Sequence, residues 1–387
     1  MSESTHENRF DVDAEFSIGY SHRLTFTQNV LDPSNPILAS VFGAERCTGD
    51  TTVLTALDSE VARLHPDVVE RLNRRFSEAG MPSLSDVTVV PGGETAKNDP
   101  TVVEHLLSLV DTLKIDRKST ILCIGGGAVL DAVGFAASIA HRGVRLVRIP
   151  TTVLGQLDAA IGVKNGVNRF RKKNFCGTFA VPSAVICDES FLPTLSDRDW
   201  RSGFSEAVKI ACVKDAAFFD RIEASSTAIH DRDIVAARPI IHHCADLHLR
   251  HIADGGDAFE REEARPLDFG HWSAHRLESI TDFDVTHGEA VSIGIALDTC
   301  YSHLDGRISR EDAIRIIRVL DTIGLPTSHP SLGSNAMLEG LEEFREHLGG
   351  RFTITLLDGI GRGVDVHEVD YGRVLEAAAI LPEILTG

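Results

Sequence analysis

Three consecutive glycines, Gly125-Gly126-Gly127, follow directly on the β-branched run 120–124 and open a helical pattern. A strand that turns this tightly into a helix suits a β-α-β unit. Glycine there lets backbone approach a pyrophosphate, and the helix N-terminus offers unpaired N–H donors. A purely structural strand-to-helix turn would read the same way. The surrounding sequence repeats the texture. Residues 52–56, 87–90, 145–149 and 184–187 read as further buried strands, while 60–79 and 101–113 carry apolar residues at helical spacing. This alternation predicts a parallel, Rossmann-like sheet domain over residues 1–190. From Phe191 onward the runs 199–223, 233–252, 287–304 and 310–323 read as helices, with β-like exceptions at 351–357 and 364–366. The expected architecture is an N-terminal α/β domain and a C-terminal helical domain, 191–387, with a ligand cleft between them.

Charge narrows the partners. Acidic residues outnumber basic ones by 57 to 38, a net −19, which repels phosphate backbones and anionic lipid over most of the surface. Nucleic acid and membrane are therefore excluded as expected partners. Seven cysteines without a CxxC pair, and no apolar run approaching the ~20 residues of a span, fit a reduced, cytoplasmic protein. The basic residues are eight lysines against thirty arginines, and every lysine lies between Lys97 and Lys214.

Several motifs can carry chemistry. Pro91-Gly92-Gly93-Glu94-Thr95-Ala96-Lys97 offers a carboxylate and an ammonium three residues apart, either as a ribose clamp or as a capped polar turn. Lys164, Arg169, Arg171, Lys172 and Lys173 form a basic knot that suits a phosphate dianion, or a solvated loop. Glu206 and Lys209 share one helical face, and His271 and His275 share another, with His287 opening the next helix. One Glu with two His suits catalytic zinc with coordination positions left open. His242, His243, His248 and His251 read as a solvated polar face, and neither the first ~20 residues nor 253–263 carries a motif.

The series PGGETAKN, GGGAVLDAVG, HRGVRLVRIPTT, DAAIGVKNGVNRFRKKNFCG, FLPTLSDRDW, EAVK, FGHWSAH and THGEAV resembles the sugar phosphate cyclase superfamily, typified by 3-dehydroquinate synthase. FGHWSAHRLE and EFREHLGGRFTITLLDGIG look closest to its EboD-like branch. The resemblance implies a dehydroquinate synthase-like fold and an NAD that oxidises a ring hydroxyl, so that phosphate leaves by β-elimination. The ketone is then reduced and the opened sugar closes by an intramolecular aldol reaction, with no net NADH. It also implies a zinc or cobalt ion on Glu206, His271 and His287. Asp58, Glu94, Lys97, Gly126, Gly127, Asp131, Thr151, Thr152, Thr194 and Leu195 match NAD contacts, with Asp158 and Lys173 at the nicotinamide and substrate end. Lys164, Asn174, Arg142 and His275 match substrate and phosphate contacts, and Lys209 a substrate hydroxyl. Asp158, Lys164, Lys173, Lys209 and His275 form the implied catalytic set. Arg142 would serve the neighbouring subunit, as family members are usually homodimers.

Departures from the dehydroquinate synthase pattern bear on substrate. Arg250 stands in place of a lysine, Asp268 in place of an asparagine, and Ala264 in place of an arginine, with Arg265 one residue later. Arg345 and His347 are the nearest replacements for a missing Asp-Lys-Lys motif. An ionised Asp268 would repel a substrate carboxylate. The expected substrate is therefore a phosphosugar with a neutral tail, sedoheptulose 7-phosphate first. The alternatives are 3-dehydroquinate synthase acting on its heptulosonate phosphate, and a metal-dependent alcohol dehydrogenase of the glycerol dehydrogenase type.

Overall fold

The computed structural model describes residues 11–43, 51–170, 172–256, 258–259, 267–347 and 353–385, without the side chains of 342–347. Arg171 and Arg265 lie outside the described residues, as do the side chains of Arg345 and His347. The N-terminal half is a six-stranded parallel sheet of order β1-β8-β5-β4-β2-β3. Its strands are β1 Leu24–Thr27, β2 Thr52–Asp58, β3 Ser83–Val90, β4 Thr120–Gly125, β5 Arg145–Pro150 and β8 Ala184–Asp188. Alternate residues face opposite layers, as the twofold repeat of a strand requires. Leu54, Ala56, Ile121 and Cys123 enter one apolar cluster, while Val53, Leu57, Leu122 and Ile124 enter another.

The expected strands of the sheet coincide with the observed ones within a residue or two, except at β3, which begins four residues before the expected 87–90, and at β1, which four half-buried residues add to the sheet edge beside β8. The basic knot is not a loop. It forms an antiparallel hairpin, β6 Lys164–Arg169 and β7 Lys172–Phe179, in which Gly166 faces Gly177. The expected helix 60–79 is two, α1 Ser59–Leu64 and α2 Val68–Phe76, because Pro66 interrupts it. After Gly92-Gly93 come α3 Pro100–Thr112 and α4 Gly127–Ile139.

The expected helix 199–223 also divides. The structure has a short helix, Asp197–Ser202, then α5 Phe204–Lys214 and α6 Ala216–His230, the last started by Asp215, whose carboxylate accepts from Phe218 N–H. Then follow α7 Ile234–Asp254, α8 His271–Ile280, α9 His287–Leu304 and α10 Arg310–Ile323, with a small hairpin β9 Ile354–Leu357 and β10 Gly363–Val366. Helix α9 is the axis of this half, buried almost along its length. No helix among the described residues is long and apolar enough to cross a membrane.

Candidate active site

The strands deliver one polar edge. Asp58, Gly125 and Pro150 end three adjacent strands in register, so the loops after them meet at the C-terminal edge, where open α/β sheets bind ligands. Asp58 is nearly buried and accepts from Glu60 N–H at 2.9 Å and from Gly126 N–H at 3.3 Å. Burial pushes its carboxyl above the usual range against those bonds. Gly126 caps α4 with no side-chain bond and no acid in the first turn, which leaves the helix's N–H donors to an anion. A Cβ on Gly126 would press on Thr152 Cγ2 at 3.3 Å, so the turn fits closely against the loop after β5. Thr151 N–H donates to Gly125 O at 3.0 Å, and Thr152 Oγ1 accepts from Gly155 N–H at 2.9 Å. Thr194 Oγ1 meets His65 Nε2 at 3.0 Å, and Leu195 packs on the helical core. This uncapped glycine cradle fits a dinucleotide.

From that edge a polar chain runs inward. Lys97 is buried and donates to Asp131 at 2.6 Å and to Asn174 Oδ1. Asn168 bonds Glu94 at 3.0 Å and takes Asn174 N–H at 2.9 Å. Lys173, on β7, pairs with Glu278 of α8 and stands 3.9 Å from Glu94. Burial would lower its ammonium, but these carboxylates outweigh it and raise it.

Glu206, His271 and His287 converge from α5, α8 and α9, with their ligand atoms within 4.8 Å of one another. His271 Nε2 and His287 Nε2 each lie 3.5 Å from Glu206 Oε1. Glu206 is fully buried, and neither of its oxygens completes an aligned hydrogen bond among the described residues. Its one close partner is Lys209 Nζ, 2.5 Å from Oε2. Burial opposes its charge, yet Lys209 and the two imidazoles hold it well below the usual carboxylate range. A buried carboxylate with an orphaned oxygen facing two imidazole nitrogens fits a divalent cation. His271 Nδ1 stands 3.2 Å from Phe269 O, which leaves Nε2 for the metal.

Lys209 remains charged: burial lowers it, and Glu206, Asp158 and Asp268 together raise it further. Asp158 sits on a π-turn, Gly155–Ala159, and the fully buried Arg148 donates to the carbonyls just after it, Ala160 O at 3.0 Å and Gly162 O at 2.8 Å. His275 packs 5.5 Å from His271 and 6.1 Å from His287, ring to ring. Burial, then the Lys173 ammonium, holds it well below the ordinary imidazole range, so it is a neutral acceptor. Lys164 and Asn174 are exposed on the hairpin, whose residues 165–168 are buried. Arg142 is exposed at φ +64° in the turn after α4, and no hydrogen bond or ion pair ties it to the cluster among the described residues.

The structure corrects two readings and adds to a third. His248 is not solvated: its side chain is 11% exposed and Nδ1 stands 3.0 Å from Asp158 Oδ1, a charge contact rather than an aligned hydrogen bond. Its neighbours also have partners, His243 in Asp215 at 3.2 Å and His242 in the Phe26 ring. Arg250 does not replace a cleft lysine. It pairs outward with Asp246 at 2.8 Å, two-thirds exposed. Glu289 belongs to a capping box with Thr286 and pairs with Arg198, outside the metal set. Sequence reasoning missed Glu278, although it lies on the same helical face as His271 and His275.

Residues 87–202 match the 3-dehydroquinate synthase N-terminal family model, and 203–345 the C-terminal one. The 3-dehydroquinate synthase of Rhodospirillum rubrum is 35% identical over 85% of this chain and 86% of its own. A 2-epi-5-epi-valiolone synthase of Actinomyces sp is 31% identical over 97% of this chain and 98% of its own. Among solved structures, ValA, the 2-epi-5-epi-valiolone synthase of Streptomyces hygroscopicus subsp. jinggangensis with NAD⁺ and Zn²⁺ bound, superposes with a TM-score of 0.86. It is 29% identical, over 97% of this chain and 99% of that one. A 2-deoxy-scyllo-inosose synthase with carbaglucose-6-phosphate, NAD⁺ and Co²⁺ shares the fold, at TM-score 0.76 and 21% identity over 94% of this chain and 96% of its own.

Proposed function

The chain belongs to the 3-dehydroquinate synthase family of sugar phosphate cyclases, and on that footing we propose that it cyclises a ketose phosphate lacking a carboxylate, sedoheptulose 7-phosphate first. The observation that carries the choice is the inward wall of α7. It presents His248 against Asp158, while the only arginine in the place of the family lysine, Arg250, faces outward to Asp246. With Asp158 and Asp268 near Lys209, that wall is a poor seat for a second substrate anion. The valiolone synthase relative, named for a neutral carbasugar, aligns over 97% of the chain, which supports the same reading.

When bound, NAD would take and return a hydride and the Zn²⁺ or Co²⁺ would polarise substrate oxygens. Glu206, His271 and His287 would hold the ion. Asp58, Glu94, Lys97, Gly126, Gly127, Asp131, Thr151, Thr152, Thr194 and Leu195 would hold the dinucleotide, with Asp158 and Lys173 at its reactive end. Lys209 is kept charged beside Glu206 and would orient a substrate hydroxyl. His275, kept neutral, can accept a proton on its free ring nitrogen. Lys164 and Asn174 would take the phosphate, with Arg142 from a second subunit of a homodimer.

The test is a phosphate-release assay with NAD⁺ and Zn²⁺ or Co²⁺. Sedoheptulose 7-phosphate should release phosphate and give a carbocycle by NMR while NADH absorbance stays flat. Release from the heptulosonate phosphate alone would instead assign 3-dehydroquinate synthase, the reading favoured by the 35% identity to the R. rubrum enzyme. Steady accumulation of NADH would assign a dehydrogenase.

A further inference from the structure

We propose that Glu278 is a positioning residue that decides the tautomer of His287 against Lys173, so that Nε2 of that ring is left free for the metal. The proposal rests on the metal reading above and adds a residue which that reading does not use.

Glu278 lies in the last turns of α8, and its side chain is 1% exposed. A carboxylate in such a place needs partners, and it has two. His287 Nδ1 stands 3.1 Å from Oε2, and the Lys173 ammonium is held at Oε1. Lys173 Nζ also stands 3.3 Å from the same His287 Nδ1. These two neighbours ask for opposite rings. An ammonium has only hydrogens to give, so Lys173 would favour a lone pair on Nδ1 and thereby a hydrogen on Nε2. A carboxylate only accepts, so Glu278 favours hydrogen on Nδ1 and a lone pair on Nε2. Nε2 is the atom that faces Glu206, 3.5 Å from Oε1. With Glu278 present, Lys173 is drawn to its oxygen and the ring presents the lone pair to the cluster. Without it, Lys173 becomes the polar partner of Nδ1 and the ring turns its hydrogen toward Glu206. His271 has no such contest, because the Phe269 carbonyl faces its Nδ1.

The same observations dispose of a second cation site. His275, Glu278 and His287 approach one another within 4.8 Å. The Lys173 ammonium already neutralises that carboxylate, and it came from β7 across the domain boundary.

The experiment is a double-mutant cycle read by Co²⁺ affinity in chelator competition, with NAD⁺ binding measured alongside. Loss of an outer-shell partner commonly costs ~10–100-fold in metal affinity. Glu278→Leu should fall in that range and keep NAD⁺ affinity within about 2-fold. Lys173→Met alone should change Co²⁺ affinity by less than about 3-fold. In the Glu278→Leu background, Lys173→Met should recover roughly 5-fold or more beyond its effect in the parent, because no donor then faces Nδ1. A merely structural role predicts the reverse, since removing a second polar group from the pocket would deepen the defect. Glu278→Gln, the smallest change, should show a weaker loss and the same rescue by Lys173→Met, which keeps the cycle readable if the leucine variant does not fold. Additive effects, or Glu278→Leu within about 3-fold of the parent, would overturn the proposal. A parent that takes up no Co²⁺ would instead sink the metal reading, and the role of Glu278 with it.

Discussion

Asp298 shows what a single buried acid does for the site. It lies on α9 at 2% exposure and accepts from Gly270 N–H and Trp272 Nε1–H, each at 2.9 Å, so it pins the residues on either side of His271 from beneath. Burial pushes its carboxyl up to about 7, against the pull of those two donors. The folded value therefore exceeds the unfolded one, and the folded protein keeps a proton that the unfolded chain releases. This group's contribution to stability is full below the unfolded value of 3.8 and is lost as pH rises toward about 7, a span on the order of 4 kcal/mol. Asp298→Asn removes the titration and sets an amide NH₂ against one of the two donors. Urea denaturation at several pH values should show the variant less stable than its parent below pH ~5 and the difference shrinking by pH ~8. A variant whose stability tracks the parent's at a constant offset would mean that Asp298 does not titrate in that window.

The helices α8 and α9 meet where neither backbone has room for a side chain. Gly270, at φ +79°, starts α8, and a Cβ on Gly294 of α9 would lie 2.0 Å from Gly270 O and 2.8 Å from Ser273 Oγ. Gly294→Ala must therefore drive the helices apart, and His271 is the first residue of the helix that moves. Overpacking of this kind costs ~1–3 kcal/mol or more, and zinc content after dialysis should fall together with the denaturation midpoint. A variant with both unchanged would show that the crossing can relax without cost. These elements differ in how far the sequence announces them. Helices α9 and α10 have the bounds expected from their apolar spacing, and the buried strands are legible as β-branched runs. The hairpin β6–β7 is not, because it is mostly polar on both faces, with Val167 its one fully buried aliphatic. The breaks at Gly203 and Asp215 are hidden by an apolar face that continues across them. In the site, the spacing of His271, His275 and His287 is local and readable. Glu278 is not, because the partner that explains its burial, Lys173, lies 105 residues away in the chain.

Across the whole molecule, the lysines withdrawn from solvent are gathered at the cleft. The net charge is −19, yet Lys97 and Lys209, which are buried, and Lys173, which is 12% exposed, all stand on the path from the glycine turn to the Glu206, His271 and His287 cluster, and each faces a carboxylate. The other five lysines are exposed. The path crosses from sheet to helices, with Lys173 on β7 and Glu278 on α8, so both halves of the chain meet at the cluster. The three ligands proposed for the metal come from three helices, α5, α8 and α9, which pack together around the helical core. Stripping the cation leaves a fully buried Glu206 with Lys209 at 2.5 Å and the two imidazoles at 3.5 Å as its counter-groups among the described residues, and removes the tie between those helices. A ligand at 100 times its Kd stabilises the folded state by ~2.7 kcal/mol, equivalent to roughly 3 °C in Tm for a protein of this size. Chelation should lower Tm by about that amount, and added Zn²⁺ or Co²⁺ should restore it. NAD⁺ affinity should change little, because the dinucleotide cradle is built on β2, β4 and β5. If the chelated protein melts within a degree of the loaded one while its zinc content falls to zero, these helices hold together without the ion.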